Sequence, residues 1–200
     1  EQFVGAYVKE VTPGFYKNIV SFDATSLYPS IIMQWNISPE TCIKKDSSLN
    51  ADNFLKNKRE DIPEMISEAV AVNACLACNG SAFTNNIKGF IPILIERTFN
   101  QRKEAKSKMI ELEKEYEKTK DVNLLPRITA LKIRQSVKKI LANSLYGCLG
   151  NPAFVYSSPE LATAVTVTGQ VIIRKAEQAT NDYIQSLTKD NKDYIIAVDT

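Results

Sequence analysis

The sequence predicts an α+β fold, and three observations predict it. Strand-like apolar runs lie near both ends of the chain, at residues 3–11, 18–22 and 194–198. Two long stretches with helical periodicity, 92–118 and 127–149, occupy the middle and read as an antiparallel hairpin. A third helical stretch opens on Ser158 and Pro159, an N-cap followed by a first-turn proline, and ends near Leu187. Two hundred residues suffice for one domain with a core, or for two small ones.

Each element has a local reason. The turn at Pro13-Gly14 separates the first strand-like run from the second. The second run ends at Asp23, and the chain then turns through Thr25, Ser26, Leu27 and Tyr28. Pro29 starts a short helix reaching Gln34, where its missing N–H costs nothing. Residues 47–60 are polar and read as irregular, with no chemistry attached. Asn79-Gly80 and Asn85-Asn86 are turn signals around a short hairpin.

In the first long helix Ile95, Phe99, Met109, Leu112 and Tyr116 recur at steps of three, four and seven, with Arg102 and Lys106 on the same face. The stretch 119–126, TKDVNLLP, breaks the periodicity. In the second helix Ile133, Val137, Ile140, Leu141, Ser144 and Cys148 form an apolar stripe. Lys132, Gln135, Lys139, Asn143 and Tyr146 form the opposite, polar one. Residues 194–198 read as a buried strand delivering Asp199.

Composition narrows the chemistry. The net charge of +2 does not by itself indicate a polyanionic partner. Its distribution is more telling, because residues 101–140 hold 12 Lys+Arg against 6 Asp+Glu, a local +6. Such a field suits a polyanion, and a solvated helical hairpin gives the same count. Histidine is absent, which removes His-containing zinc sites, His general bases and Ser-His or Cys-His dyads. Cys75 and Cys78 have the spacing of half a zinc site, but Cys42 and Cys148 do not supply a second pair at metal spacing. Reduced thiols are expected. No run of 18 or more apolar residues and no signal peptide is visible. Glu1 in place of an initiator Met reads as a processed or excised piece.

Three segments carry the functional reading: SFDATSLYPSII at 21–32, KILANSLYG at 139–147 and YIIAVDT at 194–200. A carboxylate at a strand end beside turn N–H groups can hold a divalent cation and a polyphosphate together, although a buried strand entering a capped turn reads the same way. The first segment, D-x-x-S-L-Y-P-S-I-I, closely resembles motif A of family B DNA polymerases. The second resembles motif B, K-x-x-x-N-S-x-Y-G, and the third the start of motif C, whose core is D-T-D-S. The order is the family's. The wording at 36–41 (NISPET) and 99–104 (FNQRKE) is most similar to polymerases of T-even-type bacteriophages and their marine relatives.

The resemblance implies a template-directed DNA polymerase with an antiparallel-sheet palm core, 1–90 and 151–200, and an inserted two-helix fingers hairpin, 91–150. It implies two Mg²⁺ ions bridged by Asp23, with the backbone carbonyl of Ala24 and the carboxylate of Asp199 as further ligands. Arg102 and Lys139 would grip the incoming triphosphate, Lys106 would assist, and Lys139 could act as general acid toward pyrophosphate. The N–H groups of Ser26 and Leu27 would touch phosphate oxygens. Tyr28 resembles the gate that excludes a 2′-hydroxyl by clash. Asn143 would line the same face as Lys139, while Tyr146 and Gly147 would lie on the nascent base pair.

The chain departs from the family pattern in places. Ala197 stands where many members have Tyr, and Val198 where many have Gly. The second aspartate of motif C is not among the 200 residues, so these residues alone are expected to be inactive. Exonuclease-like motifs and a thumb are not visible either. The implied partners are primer-template DNA, dNTPs and the remainder of the polymerase, in the same or a second chain, in the cytoplasm of an infected bacterium. Two alternatives are one subunit of a split polymerase and a non-catalytic nucleic-acid-binding module using only the basic hairpin.

Overall fold

The computed structural model describes residues 5–56 and 59–199. Phe3 and Val4 of the first expected strand, two residues of the 47–60 segment and Thr200 of the third motif lie outside these residues. The chain order is β1 (Val8–Lys9), α1 (Leu27–Gln34), β2 (Cys42–Lys44), α2 (Ala51–Leu55), α3 (Ile62–Ala71), β3 (Ala74–Leu76), β4 (Ala82–Thr84), α4 (Phe90–Thr119), α5 (Leu125–Leu149), α6 (Pro159–Thr188) and β5 (Val198–Asp199). Short 3₁₀ turns occupy Pro39–Thr41 and Val122–Leu124. The strands form two small antiparallel sheets, β1-β5 and β2-β4-β3. Among the described residues no helix is long and apolar enough to cross a membrane.

The first half of α6 is the centre of the core. Ten of its residues between Leu161 and Val171 are buried. They pack with Ile31 and Ile32 of α1, Phe83 of β4, Ile91 and Ile95 of α4, and Leu149 of α5. This stretch is rich in Thr and Val, which are mediocre helix formers, so burial rather than propensity makes it helical. Its hydroxyls are accommodated locally. Thr166 Oγ1 donates to the carbonyls of Ala162 (3.3 Å) and Thr163 (3.2 Å), and Thr168 Oγ1 accepts from the Cys78 N–H at 3.1 Å. Ser158 caps the helix through a 3.5 Å bond from the Leu161 N–H, as its position before Pro159 predicts.

The β3–β4 hairpin forms where the Asn79-Gly80 signal placed it. Gly80 has φ +100°, and a Cβ there would lie 2.9 Å from Asp46 Cγ, so the turn needs glycine on both counts. Asn79 is fully buried and donates to the carbonyls of Asp46 (2.8 Å) and Glu160 (3.0 Å), tying the hairpin to α6. Asn36 does a similar task after α1. It adopts φ 54°, donates to the carbonyls of Thr84 and Ile87 (2.7 Å each), and accepts from the Gly89 N–H at 2.9 Å. The NISPET wording therefore has a structural content, which is to lock α1 against the start of α4.

Several expectations are corrected. Residues 18–22 form no strand. Asn18 takes a left-handed φ of 58°, which breaks the run, and the β1 ladder is occupied by β5, with Val8 opposite Asp199 and Lys9 opposite Val198. Without a ladder partner the run stays exposed, Phe22 at 83%. Within 5–11 only Val8 and Lys9 are strand, and the C-terminal strand is Val198–Asp199 rather than a buried 194–198, whose residues are half-buried or exposed. Within 47–60, α2 forms because Asn50 and Asn53 make a reciprocal capping box. Ile62–Ala71 form the helix α3, with Pro63 in its first turn, where the sequence analysis assigns no element.

The helical hairpin is correct, but its packed seam in α5 is not the apolar stripe. Ile128, Ala142 and Leu149 are buried and Leu131, Gln135, Lys138 and Leu145 half-buried, at alternating steps of three and four. Ile133, Val137 and Ile140 are 54–65% exposed. The matching seam of α4 runs through Ile91, Ile95, Thr98, Arg102, Ala105, Met109, Leu112 and Tyr116. These are heptad seams. In a two-helix contact the 3.5-residue period selects the face, and small or long-stemmed residues fill it as readily as β-branched ones.

An ionic clamp docks β1 on α6. Lys9 Nζ bonds Glu177 Oε1 at 2.8 Å and Asp193 Oδ2 at 2.6 Å, and the Tyr7 hydroxyl donates to Glu177 at 3.3 Å. Arg174 lies 5.2 Å from the Tyr7 ring centroid and bonds Asp52 at 2.8 Å. The hydrogen bond from Lys9 holds the Asp193 carboxyl below the usual aspartate range. Burial alone would lower Lys9, but its bonds to Asp193 and Glu177 outweigh that and raise it. A lowered carboxyl contributes stability above its unfolded value and loses it as pH falls through the folded one. A raised amine contributes below its unfolded value and loses it as pH rises through the folded one. The clamp is therefore expected to hold between about pH 4 and about pH 10.5. NMR shifts of the Val8 and Lys9 amides should show a plateau across that window with a transition beyond each end; a transition near neutrality would contradict the clamp.

Candidate active site

The site is built around the start of α1. Ser26 adopts φ 53° and ψ 53°, reversing the chain so that α1 begins at Leu27, two residues before Pro29, which occupies the third helical position. No side chain caps this end, and its first turn carries no acidic residue. A helix N-terminus of this kind presents N–H groups and a partial positive charge to an anion.

Arg102 reaches this end from α4. Its Nη1 lies 3.5 Å from Ser26 Oγ, and its Nε is buried without a hydrogen-bond partner, the one such side-chain atom among the described residues. A buried, unsatisfied guanidinium N–H is unfavourable by more than an ordinary hydrogen bond contributes, which makes it a demand for an acceptor. The position of Arg102 inside the α4 seam explains the burial. Lys106, one turn further along, is exposed.

From α5, Tyr146 meets Tyr28 with ring centroids 4.6 Å apart and planes inclined by 46°. Burial, and secondarily Tyr28, pushes the Tyr146 hydroxyl up to about 12, so it is a neutral donor at physiological pH. Lys139 and Asn143 are exposed on the same helix. A Cβ on Gly147 would meet nothing within 4 Å among the described residues, so none of them requires glycine there. Gly169 of α6, which belongs to none of the three motifs, has its backbone against the Tyr28 ring. A glycine inside a helical pattern was the available signal.

The carboxylates are less assembled. Asp23 is exposed on the irregular stretch before Ser26, and Asp199 is exposed at the end of β5. Among the described residues no group of three or more His, Cys, Asp or Glu forms a metal-binding cluster. The donors available, two carboxylates free of ion pairs among the described residues and the Ala24 carbonyl, are hard oxygens of the kind Mg²⁺ takes. The cysteines are not ligands of that type. Cys78 is buried, which pushes its thiol up to about 11, and Cys75 Sγ accepts from Asn85 Nδ2 at 3.3 Å.

The structure thus brings Ser26, Leu27, Tyr28, Arg102 and Tyr146 together and leaves Lys106, Lys139 and Asn143 at the surface. The family model described as DNA polymerase family B matches residues 1–198. The chain belongs to DNA polymerase family B. Its relatives include the DNA-directed DNA polymerase of Escherichia phage RB69, 30% identical over 94% of this chain and 24% of that protein. The DNA-directed DNA polymerase of Enterobacteria phage T4 is 31% identical over 100% of this chain and 26% of that protein. The T-even-type wording is thereby explained. The fold is similar to the family B DNA polymerase from the hyperthermophilic archaeon Pyrobaculum calidifontis, with a TM-score of 0.62 and 25% identity over 100% of this chain and 21% of that one. This family B chain therefore spans about a quarter of the phage polymerases it matches.

Proposed function

We propose that these residues are the nucleotide-binding and part of the metal-binding half of a DNA-directed DNA polymerase. Residues 1–90 and 151–200 would be palm, and 91–150 the fingers hairpin that closes over the nucleotide. The observation that carries the reading is the buried, unsatisfied Nε of Arg102 beside the uncapped start of α1. A triphosphate supplies the acceptors that both lack.

The chain's own residues then have separable tasks. The first N–H groups of α1, around Ser26 and Leu27, bind phosphate oxygens and orient them. Arg102 adds a planar fork, and Lys106 and Lys139 add mobile charges that swing in from the surface. Lys139 also holds a proton within reach of the departing pyrophosphate. Tyr28 lies under the deoxyribose, Asn143 lines the same α5 face as Lys139, and Tyr146 and Gly147 face the nascent base pair. Asp23, Asp199 and the Ala24 carbonyl would hold two Mg²⁺ ions together with carboxylate from the rest of the polymerase. When bound, such ions stabilise the attacking 3′-oxygen and the leaving pyrophosphate.

The enzyme would act on primer-template DNA and dNTPs in the cytoplasm of an infected bacterium, with exonuclease and thumb regions in the same or a second chain. The test is primer extension with Mg²⁺ by the polymerase carrying these residues, beside the 200 residues alone. Extension by the former and negligible extension by the latter is expected. Salt-dependent DNA binding without extension by the polymerase would turn the reading into that of a binding module.

A further inference from the structure

We infer that Gly169 is a positioning residue: it seats the ring of Tyr28 and thereby sets how tightly the polymerase selects the sugar of the incoming nucleotide. The inference rests on the reading of Tyr28 as the group beneath the deoxyribose. Gly169 lies in the buried half of α6, within the core rather than at a helix end. A Cβ built there would stand 2.8 Å from Tyr28 Cε1 and 3.5 Å from both Tyr28 Cδ1 and Ile31 Cδ1. The first distance is closer than carbon atoms approach without one of them moving. Tyr28 has no easy retreat, because on α5 the Tyr146 ring already sits 4.6 Å from it, centroid to centroid. The ring of Tyr28 is thus bounded by backbone on one helix and by an aromatic ring on another.

Helix propensity does not account for glycine at this position, since glycine is the least favourable residue inside a helix apart from proline. Packing does. The absent side chain lets Tyr28 lie directly on the α6 backbone, in the stretch 161–171 where every residue but Gln170 is buried. A gate that works by clash needs a wall that does not yield. Backing the ring with main chain instead of a side chain with rotamers supplies that wall. Adding one methyl group at Gly169 forces the ring off the α6 backbone, and the Tyr146 ring limits how far it can yield.

The test is a double-mutant cycle in the polymerase carrying these residues, with Gly169→Ala, Tyr28→Ala and both together. Single-nucleotide incorporation of dNTP and rNTP is read alongside the unfolding temperature. Gly169→Ala alone is expected to lower kcat/KM for dNTP about tenfold, mainly through KM, because a small misplacement of a contact group suffices. In the Tyr28→Ala background the same change is expected to alter dNTP kcat/KM less than about twofold, since the methyl then has room. If Tyr28→Ala leaves rNTP discrimination intact, the Tyr28 reading itself fails. If Tyr28→Ala relaxes discrimination but Gly169→Ala leaves dNTP KM unchanged in folded enzyme, the reading of Tyr28 stands and the Gly169 inference is overturned. An equal loss from Gly169→Ala with and without the Tyr28 ring also overturns it, because the effect would then be general damage to α6.

Discussion

Polymerase carrying Asp23→Ala is expected to lose single-nucleotide incorporation by on the order of 10³-fold or more, with its folding and DNA binding intact. The two halves of this expectation come from the same geometry. Asp23 is exposed, and among the described residues it makes no ion pair. A surface carboxylate in that state contributes little to stability, so its removal shifts unfolding by no more than about 0.5 kcal/mol. Asp23 stands close before the start of α1, and on the proposed reading its use is to ligate a cation. Asp23→Asn keeps the shape and removes the charge, so it should fall as far as alanine. Asp199→Ala should behave similarly. Rapid-quench incorporation under saturating Mg²⁺ is the measurement, with fluorescence anisotropy for DNA binding. A variant retaining more than about a tenth of the rate would remove Asp23 from the metal site.

The short helix α1 and the three long helices were legible because their signals are local, whereas α2 and α3 were not. The Ser158-Pro159 start of α6, the break after Thr119 and the Asn79-Gly80 turn each depend on a few neighbouring residues, and each stands where the sequence places it. Strands were not legible in the same way, since a strand exists only with a partner. Residues 18–22 have the composition of a strand and no ladder, while Val8 and Lys9 have one because β5 lies beside them. The α5 seam failed for a related reason. Hydrophobicity marks Ile133, Val137 and Ile140, yet the face that packs is fixed by the heptad match with α4, which is a property of two helices together.

The site divides along the same line. The family wording locates Ser26, Tyr28, Arg102 and Tyr146, and the fold pairs Arg102 with Ser26 and Tyr28 with Tyr146 around the start of α1. What motifs A, B and C do not contain is the support behind them. Asn36 locks α1 to the start of α4 through three hydrogen bonds, and Gly169 abuts Tyr28 from the far side. Such supporting residues act through packing across long sequence separations, so the chain carries only weak local traces of them, a glycine inside a helical pattern for Gly169 and the wording that begins at Asn36. Asn36 is recognisable only afterwards, as one of the few residue types that tolerate a left-handed backbone while satisfying buried carbonyls.

Arg102→Met is expected to weaken dNTP binding about 10- to 100-fold while leaving the unfolding temperature unchanged or raised. The opposed signs follow from the orphaned Nε. In the nucleotide-free protein a buried guanidinium N–H without an acceptor is unfavourable, and the 3.5 Å approach of Nη1 to Ser26 Oγ compensates weakly. Methionine fills the seam position of α4 between Thr98 and Ala105 with a flexible apolar chain and no unsatisfied donor. Its folded state therefore gains what the arginine forgoes. With a triphosphate present the balance reverses, since a charge-assisted bond to an anionic oxygen contributes about 1.5–3 kcal/mol, the origin of the expected loss in affinity. Arg102→Lys keeps the charge but not the fork, and should fall between the two in affinity. Nucleotide Kd from pre-steady-state incorporation and thermal unfolding of the same preparations provide the two readings. A variant whose affinity and stability fall together would mean that Arg102 is a structural member of the hairpin. A variant more stable yet weaker in dNTP binding would show a residue held in an unfavourable state because the substrate completes it.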